Sequence, residues 1–460
     1  MTAEELADAW GRAKSSGIRQ TAVPDADEDA LTMAYEAATR ALDAARVEGE
    51  DVAFLALGST TLPYEEEDLV ARLASMLGVP ETAATRTQTG STAAGVQALD
   101  AALDAGPWLD GVGLVVASDC PRGAPDSPEE HAAGAGAAAF VVGDDGPASV
   151  TERATYTSPY PGTRFRRRGE TGTSGLGVTE YDRDAFADAV GGAVGQLDTD
   201  DVDAVALQAP DGKLPYRVAD RVGVPTEYVS EVTTVHSLGD TGAASAPLAL
   251  ASALDGDADR VLVCGYGSGG TVSAMVVEAP DAVPSALALD REIELSYAAY
   301  LRRRGDLTDG APEGGGAYVS VPSWRRTIPQ RHRLVAGRCR ECGTLAFPPE
   351  GACTECGAID DYDPVELPGT GTVEAATTIA QGGAPPEFVE QQEQSGAYAS
   401  VVVAFDGPGD DEAVSAPAQV VPEADPPAVG DAVTSTIRRI YEQEGVLRYG
   451  FKVLPAGARR

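Results

Sequence analysis

Apolar and polar positions along the first part of the chain repeat one pattern twice. The apolar run DVAFLALG (51–58) is followed by a helical stretch ending LGVP, by TQTGSTAAGVQALDAALD, and by the apolar runs VGLVVASD (112–119) and GAGAAAFVV (134–142). The order recurs from 201 to 278 as DVDAVALQ, a helix ending VGVP, TGAASAPLALASALD, RVLVCGYG and TVSAMVV. Short uninterrupted apolar runs bounded by turn residues read as buried strands, and the Ala/Leu stretches between them as helices. The pattern predicts two copies of strand, helix, strand, helix and paired strands sharing one core about a pseudo-dyad. The result is a duplicated, layered α/β domain over 1–285.

Beyond that point the pattern changes. REIELSYAAYLRRRGDL (291–307) has the spacing of an amphipathic helix and GAPEGGGAY (310–318) the composition of a flexible connector, so 286–330 is expected to be a linker. Further on, the apolar runs are short and separated by Pro and Gly: GTVEAATTIA, YASVVVAFD, AVSAPAQVV, DAVTSTIRRIYE and VLRYGFKVLP. They predict a small β-barrel over 367–460, with a separate segment, 331–366, ahead of it.

Charge narrows the partners. The chain carries 34 basic and 72 acidic residues, a formal net charge of −38, and its lysines are Lys14, Lys213 and Lys452. An acidic surface served by arginine suits a halophile's cytoplasm, where self-repulsion is screened within about 3 Å at 1 M salt. Nucleic acid and anionic membranes are disfavoured as partners. No stretch approaches the roughly 20 apolar residues of a membrane helix, and MTAEELADAWGRAK has no signal core, so a cytoplasmic protein is expected.

Four of the six cysteines carry a metal pattern. Cys339-Arg-Glu-Cys342 and Cys353-Thr-Glu-Cys356 are two C-x-x-C pairs ten residues apart, each followed by glycine. Four thiolates in a tetrahedron suit zinc, with Zn–S near ~2.3 Å, and leave no open position for water, which points to structural zinc. Cys120 and Cys264 end apolar runs and read as small buried hydrophobes.

This region resembles a known family. LVAGRCRECGTLAFPPEGACTECG, GTVEAATTI and VGDAVTSTIRRIYEQEGVLRYGFKVLP are similar to the zinc-ribbon plus OB-fold proteins that accompany thiolase-type enzymes in acyl-CoA metabolism. The resemblance implies a zinc ribbon over 331–366, an OB-type barrel over 367–460, and association with a thiolase-family protein and the pantetheine arm of CoA. In the first half, GSTTLPYEEEDL, TGSTAAGVQAL, QAPDGKLPYRVADRVGVP and GDTGAASAPLALASAL, with GYGSGG, resemble the condensing enzymes of the thiolase superfamily. Archaeal 3-hydroxy-3-methylglutaryl-CoA synthase is the nearest in pattern. This implies a thiolase-like core, an acyl-CoA ligand, and a homodimer or larger complex.

In that family a cysteine holds the acyl group, a glutamate moves the proton, and histidine and asparagine steady the oxyanion. Carried over position by position, Thr92 stands for the cysteine, Thr60 for the glutamate, Gln208 for the histidine and Asp240 for the asparagine. A neutral hydroxyl with no base beside it is a poor nucleophile, and losing one member of a cooperating set removes most of the rate. The expected role is therefore an acyl-CoA-binding, non-condensing partner or scaffold. Ser91 and Thr92 read equally well as helix caps. An enzyme of altered mechanism, by aldol, retro-aldol or acyl transfer, stays open, because His236 and the carboxylates Asp211 and Asp240 offer acid–base groups. Two arginine islands stand out: Arg164, Arg166, Arg167 and Arg168, and the run from Arg325 through Arg326, Arg331, Arg333 and Arg338 to Arg340. Arg166, Arg167 and Arg168, with Lys213, are the candidates for the CoA phosphates, solvated loops or inter-domain ion pairs being the other reading.

Overall fold

The computed structural model describes residues 1–106, 110–289, 293–308, 320–359, 361–380, 382–409 and 412–458. The expected connector at 310–318 lies outside them, and the described part of the expected amphipathic helix is helical over Tyr297–Arg303. Two compact units emerge: Met1–Pro24, Asp29–Ala74 and Gly78–Tyr297 form the first, and Asp25–Glu28, Ser75–Leu77 and Ala298–Arg460 the second.

In the first unit, β1 (Val52–Gly58), β2 (Ala84–Gln88), β3 (Val112–Asp119) and β4 (Gly136–Val142) form a sheet of order β2-β1-β3-β4. β1 runs parallel to β2 and β3, and β4 antiparallel to β3. A second sheet, β5 (Ser149–Thr157), β6 (Ala204–Leu207), β7 (Arg260–Gly267) and β8 (Thr271–Glu278), has the order β5-β8-β7-β6. The uninterrupted apolar runs become β1, β3, β7 and β8 because these strands are covered on both faces. Helix Ala94–Ala105 packs on β1, β3 and β7, and helix Ser245–Asp255 on β4, β6 and β7, so this pair lies between the sheets. Helices Ala30–Ala45 and Thr179–Val194 cover the outer faces. Helix, sheet, helix pair, sheet and helix make the expected layered core.

The second copy departs from the first at one strand. Where the first has β2, the second has the short helices Thr226–Ser230 and Val235–Leu238. TEYVSEVTTVHSL breaks its apolar residues with polar ones and offers no run for a buried strand. β5, from the alternating SVTERATYT, instead extends that sheet beyond β8. Two glycines set how closely the central helix approaches. A Cβ on Gly58 would stand 2.7 Å from Gly95 Cα, and one on Gly95 2.8 Å from Ala117 Cβ, so the head of helix Ala94–Ala105 touches β1 and β3 only because both are glycine.

In the second unit, β9 (Val335–Cys339), β10 (Leu345–Ala346) and β11 (Tyr362–Glu366) form a small sheet of order β10-β9-β11. β12 (Thr370–Ile379), β13 (Tyr398–Asp406), β14 (Ala413–Gln419), β15 (Ala432–Gln443) and β16 (Val446–Pro455) form an antiparallel sheet of order β14-β13-β12-β15-β16. Bulges at Val373/Ala375 and Arg439/Tyr441 curl it, and a bridge from Val420 to Val453 brings its ends together as a nearly closed barrel. Val373, Val401, Val403, Phe405 and Val453 fill it.

A buried ionic cluster sits in this unit. Lys452 is fully buried and donates from Nζ to Asp27 Oδ2 at 2.7 Å, while Arg438 Nη2 lies 3.0 Å from Glu28 Oε1. Burial, and then the negative charges of Asp27 and Glu28, push the Asp25 carboxyl up to about 7, against the pull of Arg303. Between the unfolded value, about 4, and 7 the folded chain keeps a proton that the unfolded chain has lost. This contribution to stability is therefore complete below about pH 4 and disappears as pH rises through 7. The urea midpoint is expected to fall between pH 5 and pH 8 more in the wild type than in Asp25→Asn; equal falls would refute this.

Candidate functional site

The site in the first unit is organised by a residue that sequence reasoning passed over. Asp119, the last residue of β3, is fully buried. Its Oδ1 accepts from Ser59 Oγ (2.9 Å), Thr60 N (2.6 Å), Thr61 N (2.9 Å) and Thr61 Oγ1 (2.8 Å). Its Oδ2 accepts from Thr60 Oγ1 (2.8 Å) and Ala243 N (2.7 Å). One carboxylate thus ties the turn after β1 to the turn 239–245. The signal was there: VGLVVASD ends an otherwise apolar strand with an acid, and a buried acid needs donors.

Thr60, with its hydroxyl engaged on Asp119, also has its carbonyl oxygen bonded by Arg166 Nη2. Asp240 is buried, pairs with Arg164 Nη1, and accepts from Gly242 N at 3.0 Å. Arginines of the segment 164–166 therefore strap both turns. At the head of helix Ala94–Ala105, buried Thr92 donates from Oγ1 to Tyr266 O at 2.6 Å and accepts from Ser268 N at 3.2 Å. Gln208, also buried, donates its backbone N–H to Cys264 O at 3.0 Å, so the Thr92 side chain and the Gln208 main chain hold carbonyls two residues apart on β7. Ala209 N donates to Ser245 Oγ at 3.0 Å, and Gly95 abuts the Ala243 carbonyl. The structure brings the surroundings of Thr60, Thr92, Gln208 and Asp240 together on the 239–245 turn.

Several buried polar atoms there have no partner: Gln208 Oε1, Ser118 Oγ, Thr241 Oγ1 and Arg164 Nη2. Such orphans cost free energy unless something fills them. Of the two cysteines expected to be buried, Cys264 is buried and Cys120 half-buried. Burial pushes Cys120 up to about 11, helped by nearby Asp29 and Asp119 against the Thr61 hydrogen bond, and pushes Cys264 up to about 12.

His236 turns elsewhere. Its Nδ1 faces Gly17 O at 2.6 Å and its Nε2 faces Tyr216 Oη at 2.6 Å. A carbonyl only accepts, so Nδ1 is the donor there, and the phenol is the partner of Nε2. This pair braces the N-terminal segment, which also receives Gly212 N on Ser16 O at 2.8 Å. Asp211 Oδ1 accepts from Lys213 N (2.7 Å) and Leu214 N (2.8 Å), opening the helix Leu214–Val222. The Lys213 side chain is exposed. Arg167 and Arg168 stand in solvent, 3.9 Å from Glu170 and 3.6 Å from Glu65. Of the other island, Arg333, Arg338 and Arg340 pair with Glu366, Glu412 and Asp363 at 3.1, 2.7 and 2.7 Å.

The metal centre in the second unit fits its expected ion. The four sulfurs of Cys339, Cys342, Cys353 and Cys356 lie within 4.8 Å of one another, with Cys339–Cys356 and Cys342–Cys353 both at 3.6 Å. A regular tetrahedron with Zn–S near 2.3 Å has edges of about 3.8 Å. Gly343 and Gly357, at φ 83° and 76°, let each knuckle turn so that their N–H groups reach Cys339 O and Cys353 O. With four thiolates the ion is structural.

These features define a class: a duplicated thiolase-type α/β protein joined to a zinc ribbon and a small barrel. The family described as 3-Oxoacyl-[acyl-carrier-protein (ACP)] synthase III C terminal matches residues 193–279, and that described as ChsH2, rubredoxin-like zinc ribbon domain, matches 326–360. Hydroxymethylglutaryl-CoA synthase of Aeropyrum pernix is 32% identical over 328 residues, 66% of this chain and 90% of that protein. The Archaeoglobus fulgidus protein of the same name is 28% identical over 328 residues, 65% of this chain and 93% of its own. The chain belongs to the hydroxymethylglutaryl-CoA synthase family. Among solved structures, an HMG-CoA synthase complexed with CoA shares the fold with a TM-score of 0.56 at 18% identity, over 70% of this chain and 90% of the other. A 3-oxoacyl-(acyl-carrier-protein) synthase III does so with a TM-score of 0.52 at 17% identity, over 60% and 95%. No helix among the described residues is long and apolar enough to cross a membrane.

Proposed function

We propose that this chain is an acyl-CoA-binding member of its family that does not condense, and that it serves an active thiolase-type enzyme as a partner in acyl-CoA metabolism in the cytoplasm. One observation carries the reading: the side chains of Thr60, Thr92 and Asp240 are already bonded to other parts of the protein. The Thr92 hydroxyl donates to a backbone carbonyl, and a carbonyl cannot take its proton to make a nucleophile. Thr60 donates to Asp119, and Asp240 is paired with Arg164, so neither is a ready proton carrier. Binding is supported by the fold relative that holds CoA and by the orphaned Gln208, Ser118 and Thr241 atoms, which suit a polar ligand. Self-association as a homodimer, through the free edge strand β2, belongs to the same proposal.

The test is intact mass and calorimetry on the full chain in high-salt buffer. Acetyl-CoA is expected to bind saturably, to leave no acyl adduct, and to give no condensation product with acetoacetyl-CoA. An adduct on Thr92, or turnover at enzyme-like rates, would overturn the proposal. Turnover abolished by Asp240→Ala and His236→Ala would establish the altered-mechanism enzyme instead.

A further inference from the structure

The barrel of the second unit carries a cavity that neither the metal centre nor the thiolase-like site involves. Its volume is about 390 Å³, and Ile379, Phe388, Pro417, Ile440 and Phe451 are among the apolar residues of its wall. That volume lies in the range of small-ligand pockets, roughly 300–1,000 Å³. Four side chains with polar atoms interrupt the apolar lining: Arg331, Tyr398, Ser400 and Gln419.

Arg331 is out of balance with its surroundings. The chain has 72 acidic residues, yet among the described residues no carboxylate lies within ion-pair distance of this half-buried guanidinium. Its neighbours in sequence, Arg333, Arg338 and Arg340, all have acidic partners. Arg331 instead donates from Nε to Thr327 Oγ1 at 3.1 Å and stacks 4.3 Å from the centre of the Trp324 ring. Arg448, a second buried arginine, stacks on the same ring at 4.4 Å. The indole eases two like charges but neutralises neither. Burial, with the added repulsion of Arg448 and in spite of Tyr441, weakens the hold of Arg331 on its proton. The Gln419 amide is also unfinished, since its buried Oε1 has no partner. The two ends of an amide are nearly isosteric, so it can present its NH₂ group to an acceptor.

We propose that this cavity binds a small amphiphilic carboxylate, its head on Arg331 and Gln419 and its hydrocarbon body against Phe388, Ile440 and Phe451. A single cation at the wall matches a monoanion, and a planar guanidinium matches a carboxylate through paired hydrogen bonds. A polyphosphate would require several cations that the lining does not have. The site is independent of acyl-CoA binding in the first unit, so either proposal can fail alone.

The test is calorimetric titration of the full chain with decanoate, below its micelle concentration, in high-salt buffer. One decanoate per chain is expected, with 1-decanol binding at least tenfold more weakly. High salt is expected to spare this pair, because partly buried charges are screened far less than exposed ones. Arg331→Gln should weaken decanoate at least tenfold without changing the acetyl-CoA titration, and Ile440→Trp, which fills the cavity, should abolish it. No saturable heat with the wild type, decanol binding as tightly as decanoate, or full affinity in Arg331→Gln would each overturn the assignment. The decanol comparison uses unaltered protein and holds even if a variant fails to fold.

Discussion

Asp119→Ala is expected to cost the thiolase-like unit about 3–5 kcal/mol of stability, the scale for breaking a buried charged network by removing one partner. The side chain is fully buried and accepts six hydrogen bonds, three from backbone N–H groups and three from hydroxyls. Each donor left without a partner costs roughly 1–3 kcal/mol, but the three hydroxyls can rotate and water can enter the hole, so the losses do not add. Asp119→Asn keeps the shape and one acceptor while turning an NH₂ group toward other donors, so about half the loss is expected. Urea unfolding at fixed high salt measures both, and a loss below about 1 kcal/mol in Asp119→Ala would refute the account. Asp119 also joins the Thr60 turn to the 239–245 turn, so the alanine variant should bind acetyl-CoA more weakly than the stability change alone requires.

What the sequence disclosed and what it concealed divide by range. Strands β1, β3, β7 and β8 are uninterrupted apolar runs, and the five barrel strands alternate between turns, so local pattern sufficed. The cysteine spacing worked for the same reason, since each knuckle is a local turn. Strand β5 escaped notice because SVTERATYT is a half-exposed edge whose pairing with β8 lies more than a hundred residues away. The missing counterpart of β2 escaped because a repeat in sequence invites completion. Long range also hid the partners of the candidate residues. Arg164 was visible as one member of a basic island, but its pairing with Asp240, 76 residues on, is a product of the fold. Four positions aligned with a family motif say which side chains to look for; only the fold says that those of Thr60, Thr92 and Asp240 are already engaged while Gln208 Oε1 is not.

Removing zinc is the second large perturbation, and it should act well beyond the ribbon. Structural zinc on thiolates binds with an apparent free energy on the order of 10 kcal/mol at neutral pH, which for a small domain is folding free energy. β9, β10 and β11 contribute only 5, 2 and 5 residues, too few to hold a sheet without the ion. Yet Leu334, Ala336 and Leu345 from this segment are packed in the same core cluster as Val373, Val403 and Phe405 of the barrel. Loosening the ribbon therefore withdraws apolar side chains from the barrel core and leaves cavities there. Protein purified without added metal should contain one zinc per chain. Cys353→Ser, which removes a buried ligand, should lose that zinc, melt at a clearly lower temperature, and be cut by protease between 340 and 360. Cys264→Ser is the matched control, because that thiol lies buried in the first unit and outside the metal centre, and its zinc content should not change. A metal-free protein with unchanged melting and unchanged protease resistance would show that the ribbon stands without its ion.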